Sequence, residues 1–155
     1  MTTQRFTQSS TSPGAPGTAA GLAIAGLDDF ESVVVIASLL GATGGVLDVY
    51  LQAFDGTNWF DVAHYTQLAA GATLRRYSVL LGRGAAAAAP VQVGLDLEGV
   101  LAANTVVPGT LTDRLRLLFV AGASTTVGAA QVLTVVGTEE RLAELEERDL
   151  DLRVR

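Results

Sequence analysis

The chain has 155 residues with no cysteine, one histidine and a formal net charge of −6. Disulfides and thiolate metal sites are therefore excluded, and one chain cannot form a two-histidine metal site or a cysteine–histidine catalytic pair. The acidic balance argues against nucleic acid or an anionic membrane as a partner. The length fits one domain, with a core large enough to need no covalent cross-link.

Residues 1–21 are rich in Ser, Thr, Pro and Gly, and Phe6 is the only large apolar side chain among them. Such a segment buries too little apolar surface to offset the entropy lost when it is ordered. It predicts a flexible N-terminal arm, either free or ordered on a neighbouring subunit. We expect its deletion to leave the rest of the chain folded.

Short apolar or alternating runs separated by Gly, Pro and Asp-Gly turns follow the arm, and they predict strands. The runs are 32–40, 46–54, 59–65, 74–81, 91–98, 114–120 and 131–137. The first is continuously apolar, which is typical of a strand covered on both faces. Gly44-Gly45 and Asp55-Gly56 are predicted hairpin turns. Residues 22–137 are thus predicted to form an all-β antiparallel β-sandwich or jelly roll of about seven or eight strands.

Residues 138–155 are predicted to be a charged C-terminal extension, which begins with a short helix on 138–148 and continues as an arm. Leu142 and Leu145 give the helix a narrow apolar stripe, and Leu150 and Leu152 alternate with charges behind it. So short a helix needs a surface to lie on.

Charge is unevenly distributed, because 11 of the 26 charged residues lie in that extension. The remainder is poor in charge for a soluble surface, which predicts that it packs against copies of itself or other proteins. The alternative explanation is a high-GC genome, which the ten arginines and absent lysine favour.

Residues suited to catalysis or to metal binding are few. His64 lies in a predicted strand and is interpreted as a hydrogen-bonded sheet residue. Asp28, Asp29 and Glu31 lack the alternating oxygen ligands and glycine turn of a calcium loop, so they are interpreted as a solvated connection. No P-loop or GxSxG pattern occurs. We therefore predict no enzymatic activity, no cofactor and no metal.

The segment FDGTNW, residues 54–59, is the most distinctive local motif. An Asp-Gly turn with Trp59 packed over it explains the motif. The functional alternative is a sugar-stacking platform of Trp59, Phe60 and Tyr65 in a carbohydrate-binding module. Neighbouring strand residues point to opposite faces, so only one or two of these rings could face a ligand.

Three segments resemble small virion proteins of tailed bacteriophages: LDVYLQAFDGTNWFDVAHYTQ (47–67), VLAANTVVPGTLTDRLRLLFVAG (100–122) and VLTVVGTEE (132–140). The turn after Phe54 is one glycine shorter here than in that family. The resemblance implies a β-sandwich on the virion exterior, assembled in the host cytoplasm. It implies a capsid decoration (cementing) protein that binds the outer head surface, with a tail or head–tail component as the alternative.

The expected partners are copies of the same chain and the major capsid protein or another virion protein. A trimer is favoured, because capsid-surface proteins sit on threefold positions. The candidate interface anchors are the larger apolar residues of the two extensions and the Asp-Gly turn: Phe6, Trp59, Leu142, Leu145, Leu150 and Leu152.

Overall fold

The computed structural model describes residues 2–71, 73–83, 101–107 and 109–139, and in these residues the protein is all-β. The strands are β1 Thr2–Thr11, β2 Gly17–Ala20, β3 Ser32–Leu39, β4 Leu47–Phe54, β5 Trp59–His64, β6 Arg75–Gly82, β7 Thr105–Val106, β8 Leu115–Ala121 and β9 Ala130–Glu139. They form a four-stranded sheet in the order β1-β9-β3-β6 and a five-stranded sheet in the order β2-β8-β4-β5-β7. Every pairing is antiparallel. The predicted all-β sandwich is confirmed.

The core lies between the two sheets and is built from alternate residues of each strand. β3 contributes Val33, Val35, Ala37 and Leu39, and β4 contributes the corresponding set Leu47, Val49, Leu51 and Ala53. Each fully buried large aliphatic side chain stabilises the fold by roughly 1.5–3 kcal/mol. The period of two along these strands therefore fixes which face of each sheet points inward.

β3 differs from its prediction, because only one of its faces is covered. Its residues alternate between buried and more exposed positions, and Val34 on the open side is 37% exposed. The apolar run did not reveal the open face, because β-branched residues favour an extended backbone whether or not both sides of the strand are buried. The open side of β3 lies in the middle of the four-stranded sheet.

The predicted Gly44-Gly45 hairpin is wrong, because β3 and β4 belong to different sheets. The segment between them crosses the sandwich close to the turn at 124–126. A Cβ added at Gly45 would lie 2.5 Å from Thr125 Oγ1, and Gly44 has a φ of +85°. The crossing therefore requires glycine at both positions. A side chain at Gly45 would collide with Thr125, and Gly44 has the left-handed backbone that glycine adopts without strain.

The predicted Asp55-Gly56 turn is confirmed as the hairpin that joins β4 to β5. Asp55 Oδ1 accepts from the N–H groups of Thr57 at 2.8 Å and Asn58 at 2.7 Å. These backbone hydrogen bonds lower the pKa of the Asp55 carboxyl. Gly56, with a φ of +100°, supplies the left-handed residue of the turn.

The predicted N-terminal arm is corrected by the structure, because residues 2–20 belong to the sandwich. β1 pairs with β9 from Thr2 opposite Glu139 to Thr11 opposite Ala130, and β2 pairs with β8. A backbone ladder needs no apolar side chains, so the polar composition of this segment did not reveal it. The sandwich begins at Thr2 rather than at residue 22.

Other predictions fall partly or wholly outside the described residues. The runs at 46–54, 59–65, 74–81, 114–120 and 131–137 correspond to β4, β5, β6, β8 and β9. The predicted strand at 91–98 lies outside the described residues, and so does the C-terminal extension from residue 140 onward. The first two residues of that predicted extension complete β9.

Candidate functional site

The broadest candidate surface is the side of the four-stranded sheet that points away from the core, hereafter the outer face. The register places alternate residues of all four strands on it. They are Thr3, Arg5, Thr7, Ser9 and Thr11 of β1, Ala130, Val132, Thr134, Val136 and Thr138 of β9, Ser32, Val34, Ile36 and Ser38 of β3, and Arg76, Ser78, Leu80 and Gly82 of β6. Hydroxyl and aliphatic side chains dominate this set.

The outer face has little charge and exposes aliphatic side chains. Leu80 is 70% exposed and lies beside Val34 in the adjacent strand. Arg5 and Arg76 are its charged residues, and no carboxylate belongs to it. Thr134 is nevertheless only 6% exposed, since it lies between residues of β1 and β3. The face is therefore poor in charge and weakly basic, with aliphatic side chains exposed on it.

The five-stranded sheet has a different surface, in which a buried polar network lies on the side away from the core. Gln52 Nε2 donates to Asp61 Oδ1 at 2.9 Å, and Arg116 Nε donates to Gln52 Oε1 at 3.0 Å. Gln52 and Asp61 are both fully buried. Buried polar side chains that bond one another in this way hold strands in register. The network thus joins β4, β5 and β8.

His64 belongs to a second polar group on the same side of the five-stranded sheet. Its Nδ1 lies 2.7 Å from Leu101 O, and its Nε2 lies 3.2 Å from Asp48 Oδ1. Both partners accept hydrogen bonds, so the two contacts are hydrogen bonds together only when both ring nitrogens carry protons. The ring stacks on Tyr50 at 3.9 Å and is 7% exposed. His64 is therefore the hydrogen-bonded sheet residue that was predicted.

The pKa of the Tyr50 phenol, which stacks on His64 in this group, is raised by its surroundings. Burial and the nearby carboxylates of Asp48 and Asp61 raise the pKa of Tyr50 to about 12. Asp48 is held in place by Gln67, whose Nε2 donates to its Oδ2 at 3.0 Å. Through Asp48, these contacts hold the start of β4 against His64 at the end of β5 and against Gln67 in the segment after β5.

The proposed interface anchor Phe6 points into its own sandwich. Its ring meets that of Phe30 edge-on, with centroids 6.1 Å apart and an interplanar angle of 79°. Phe30 is buried, and Phe6 packs against the same core. The other proposed anchors of the extensions, Leu142, Leu145, Leu150 and Leu152, lie outside the described residues.

Trp59 is half-buried, and neighbouring side chains cover part of its ring. The Arg116 guanidinium lies 4.2 Å from the indole centroid, and the Phe54 ring lies 5.1 Å away at 42°. Phe60 packs against the core and Tyr65 is 4% exposed. The structure therefore does not bring the three aromatic rings together into a sugar platform. Trp59 packs instead against Phe54, its partner across the hairpin, and against Arg116 of β8.

The acidic residues at the start of β3 remain a surface cluster. Asp28, Asp29 and Glu31 are exposed. Within residues 2–71, 73–83, 101–107 and 109–139, no three His, Cys, Asp or Glu side chains are grouped to hold a metal ion. Over the same residues, no helix has the length and apolar character needed to cross a membrane.

Comparisons with known proteins place the chain in no family. No family model and no curated protein matches it. A structure of infectious bursal disease virus strain Gt aligns at 17% identity and a TM-score of 0.38, covering 86% of this chain and 33% of that chain. The Gx strain structure aligns at 16% identity and a TM-score of 0.42, covering 92% and 34%. This chain spans about a third of those virus chains. At these identities and TM-scores, the alignments assign neither family nor function.

Proposed function

We propose that this protein is a non-enzymatic structural component of a virion, which decorates the outer surface of a capsid and stabilises the shell. The outer face of the four-stranded sheet is the observation that carries this proposal. The resemblance of residues 47–67, 100–122 and 132–140 to small phage virion proteins supports the setting. The role of the face rests on its size and chemistry.

The size of the outer face suits a protein–protein contact. Its strands are eight to ten residues long. At about 3.3 Å per residue and 4.8 Å between strands, four such strands cover roughly 500 Å² in projection. Side-chain relief brings the accessible area closer to the ~800 Å² per partner that stable complexes bury.

The chemistry of the outer face suits the same role. Burial of aliphatic side chains is favourable, and hydroxyl side chains cost much less to desolvate than the ionised side chains of a face rich in charge. Arg5 and Arg76, without a carboxylate beside them on the face, favour a partner surface with acidic groups. A protein that binds only the assembled shell stabilises that shell by mass action. Many copies on one shell add avidity.

Co-sedimentation of the purified chain with shells of its own virus, assembled without it, tests the proposal. Val34→Glu places a charge in the middle of the outer face, and we expect it to weaken binding at least tenfold. Val106→Glu is the matched control, because Val106 is a similarly exposed aliphatic residue (44%) on the five-stranded sheet. Equal binding of both variants would contradict the proposed face. Labelling of tails rather than heads in intact particles would contradict the decoration role.

A further inference from the structure

The outer face of the four-stranded sheet carries a row of aliphatic side chains near one of its ends, hereafter the aliphatic row. Val34 of β3 lies between Val136 of β9 and Leu80 of β6 in the register of the sheet. Leu80 is 70% exposed and Val34 is 37% exposed. Burial of exposed aliphatic side chains is favourable, so the aliphatic row is suited to contact with a second apolar surface.

Two arginines flank the aliphatic row. Arg5 of β1 lies at its end, opposite Val136, and Arg76 lies further along β6. Both are exposed, and the outer face holds no carboxylate. In the part of the chain that the structure describes, neither guanidinium forms an ion pair. The segment that fits this surface is therefore apolar on one side and acidic beside it.

The chain leaves the four-stranded sheet at the rim of the same face. β9 ends at Glu139 in the interior of the sheet, between β1 and β3. The core side of this exit is closed, because the Phe30 ring packs against Gly137. The aliphatic row begins two residues before Thr138, a distance of about 7 Å along the strand. Residues 140–155, hereafter the C-terminal segment, thus start beside the aliphatic row.

The C-terminal segment has the composition that the outer face requires. Leu142 and Leu145 are three residues apart, on one side of the predicted helix, and so short a helix needs a surface to lie on. Residues 144–151 carry five carboxylates and one arginine. An extended residue spans about 3.3 Å, so the segment is long enough to reach both arginines of the face.

Residues 84–100 are the other long segment outside the described residues, and both of its ends are held away from the outer face. Arg83 bridges to Thr110, in the loop that leads into β8. Leu101 O lies 2.7 Å from His64 Nδ1 of β5. The C-terminal segment is therefore the one that departs from the outer face itself.

We propose that the C-terminal segment folds back onto the outer face of its own chain. Leu142 and Leu145, which were expected to anchor a partner, then cover the aliphatic row, and the carboxylates that follow meet the two arginines of the face. A segment tethered in this way acts at an effective concentration on the order of millimolar. A contact with a Kd of ~0.1 mM is then formed in about nine tenths of the molecules.

The docked segment regulates the surface assigned to shell binding; this role rests on the proposed function, whereas the docking itself does not. A shell binds only the molecules whose outer face is open, so its apparent affinity falls in proportion to their fraction. With about one tenth of the molecules open, binding is about tenfold weaker than that of a fully open face. Many copies on one shell add the avidity that displaces the segment.

Paramagnetic relaxation measures the docking without any shell. The chain has no cysteine, so Ala143→Cys gives a single site for a nitroxide label in the full-length protein. We expect the label to broaden the amide signals of Val34 and Leu80 several-fold more than that of Val106, on the five-stranded sheet. Labelled chains without nitrogen-15, mixed with unlabelled nitrogen-15 chains, should cause no such broadening, because the contact is intramolecular.

Substitutions in the labelled chain test which side chains make the contact. Leu142→Asp with Leu145→Asp should abolish the selective broadening, and Arg5→Glu with Arg76→Glu should reduce it. Leu22→Asp is the matched control, because Leu22 is an exposed leucine (61%) that follows β2 of the five-stranded sheet, and it should leave the broadening unchanged. Equal broadening of both sheets, or broadening that survives the two aspartates, would overturn the docking. Broadening in the mixed sample would show that a neighbouring copy covers the face and would overturn the intramolecular contact.

Co-sedimentation with shells then tests the regulation. The chain with Leu142→Asp and Leu145→Asp should bind shells about tenfold more tightly than the wild type. If docking is observed and this chain binds no more tightly, the regulatory role is overturned. If neither chain binds shells, the proposed function fails together with the regulation, while the docking measured by relaxation stands.

Discussion

The buried ring of Phe30 packs directly against the backbone of Gly137. A Cβ added at Gly137 would lie 2.5 Å from Phe30 Cδ1, and Phe30 is only 1% exposed. Phe30 has no room to move away, because Phe6 meets it edge-on at 6.1 Å. β9 can therefore lie this close to the loop before β3 only because residue 137 has no side chain.

We expect Gly137→Ala to lower the free energy of unfolding. Alanine favours the strand over glycine by roughly 0.5–1 kcal/mol, but overpacking against the Phe30 ring costs about 1–3 kcal/mol and wins. Urea denaturation followed by circular dichroism measures the difference. Gly82→Ala is the control in β6, since a Cβ there would come no closer than 3.8 Å, to Glu31 O. A Gly137→Ala chain as stable as the wild type would contradict this packing.

Arg83, which follows the last residue of β6, binds two loops through its guanidinium group, one at residues 27–30 and one at residues 111–112. Its Nε donates to Phe30 O at 2.7 Å and its Nη2 to Leu27 O at 2.5 Å. Its guanidinium also donates to Leu111 O and Thr112 O, both at 3.3 Å. Arg83→Met removes every one of these bonds, so we expect a loss of roughly 2–4 kcal/mol of unfolding free energy, at about 1.5–3 kcal/mol for each strong charged hydrogen bond.

Chemical denaturation of Arg83→Met, Arg83→Lys and Arg5→Met tests this role. The lysine chain should be intermediate, because one ammonium cannot reach carbonyls of both loops in the planar geometry of a guanidinium. Arg5→Met removes an exposed arginine and should change stability by less than about 0.5 kcal/mol. Equal effects of Arg83→Met and Arg5→Met would mean that the loops are held by other contacts.

How much of this fold could be predicted depended on whether the signal was local. The Asp55-Gly56 hairpin was predictable, because the carboxylate and the glycine that make the turn are adjacent in sequence. Gly44-Gly45 has equally good turn residues, but whether they join neighbouring strands or cross between sheets is decided by the distant turn at 124–126. β1 was missed because its ladder with β9 uses backbone groups, which composition does not register.

The outer face was only partly visible in the sequence. Ser32, Ser38, Ser78 and Thr134 fall on alternate positions of their strands, which is the period expected of an open face. The aliphatic Val34 between them hid that pattern, and the run was interpreted as covered on both sides. The order of the strands in each sheet could not be predicted at all, because it follows from long-range pairing.

The position of Phe6 changes what removal of the N-terminal segment should do. Deletion of residues 1–21 removes β1 and β2, exposes the edge of β9 and uncovers Phe30, so we now expect it to lower the melting temperature of the sandwich. Phe6→Ala isolates the side chain, and we expect it to cost about 1–3 kcal/mol for a partly buried ring. Thr7→Ala, exposed on the outer face, is the control for thermal unfolding. A deletion with an unchanged melting temperature would show that the segment is a dispensable arm.

The two buried tyrosines predict that the fold loses stability in alkali. Burial and nearby carboxylates raise the pKa of Tyr50 to about 12, and burial raises the pKa of Tyr65 further. Tyr65 Oη is buried and has no hydrogen-bond partner among the described residues, so a phenolate there would be unsupported. In the unfolded chain both phenols titrate near pH 10. A group whose pKa is raised by folding contributes stability that is present below its unfolded pKa and is lost as the pH rises through its folded pKa.

Urea denaturation at successive pH values therefore has a defined expected shape. The midpoint should be independent of tyrosine ionisation up to about pH 9, because both phenols are then neutral in both states. Above about pH 10 it should fall, since the unfolded chain releases protons that the folded chain retains. Tyr50→Phe should make the fall shallower, and Tyr50→Phe with Tyr65→Phe should remove most of it. Absorbance at 295 nm follows the phenolates directly, and Tyr50→Phe should remove a transition near pH 12 from the folded protein. If the double variant loses stability above pH 10 as steeply as the wild type, other groups govern the alkaline limit and the two tyrosines do not.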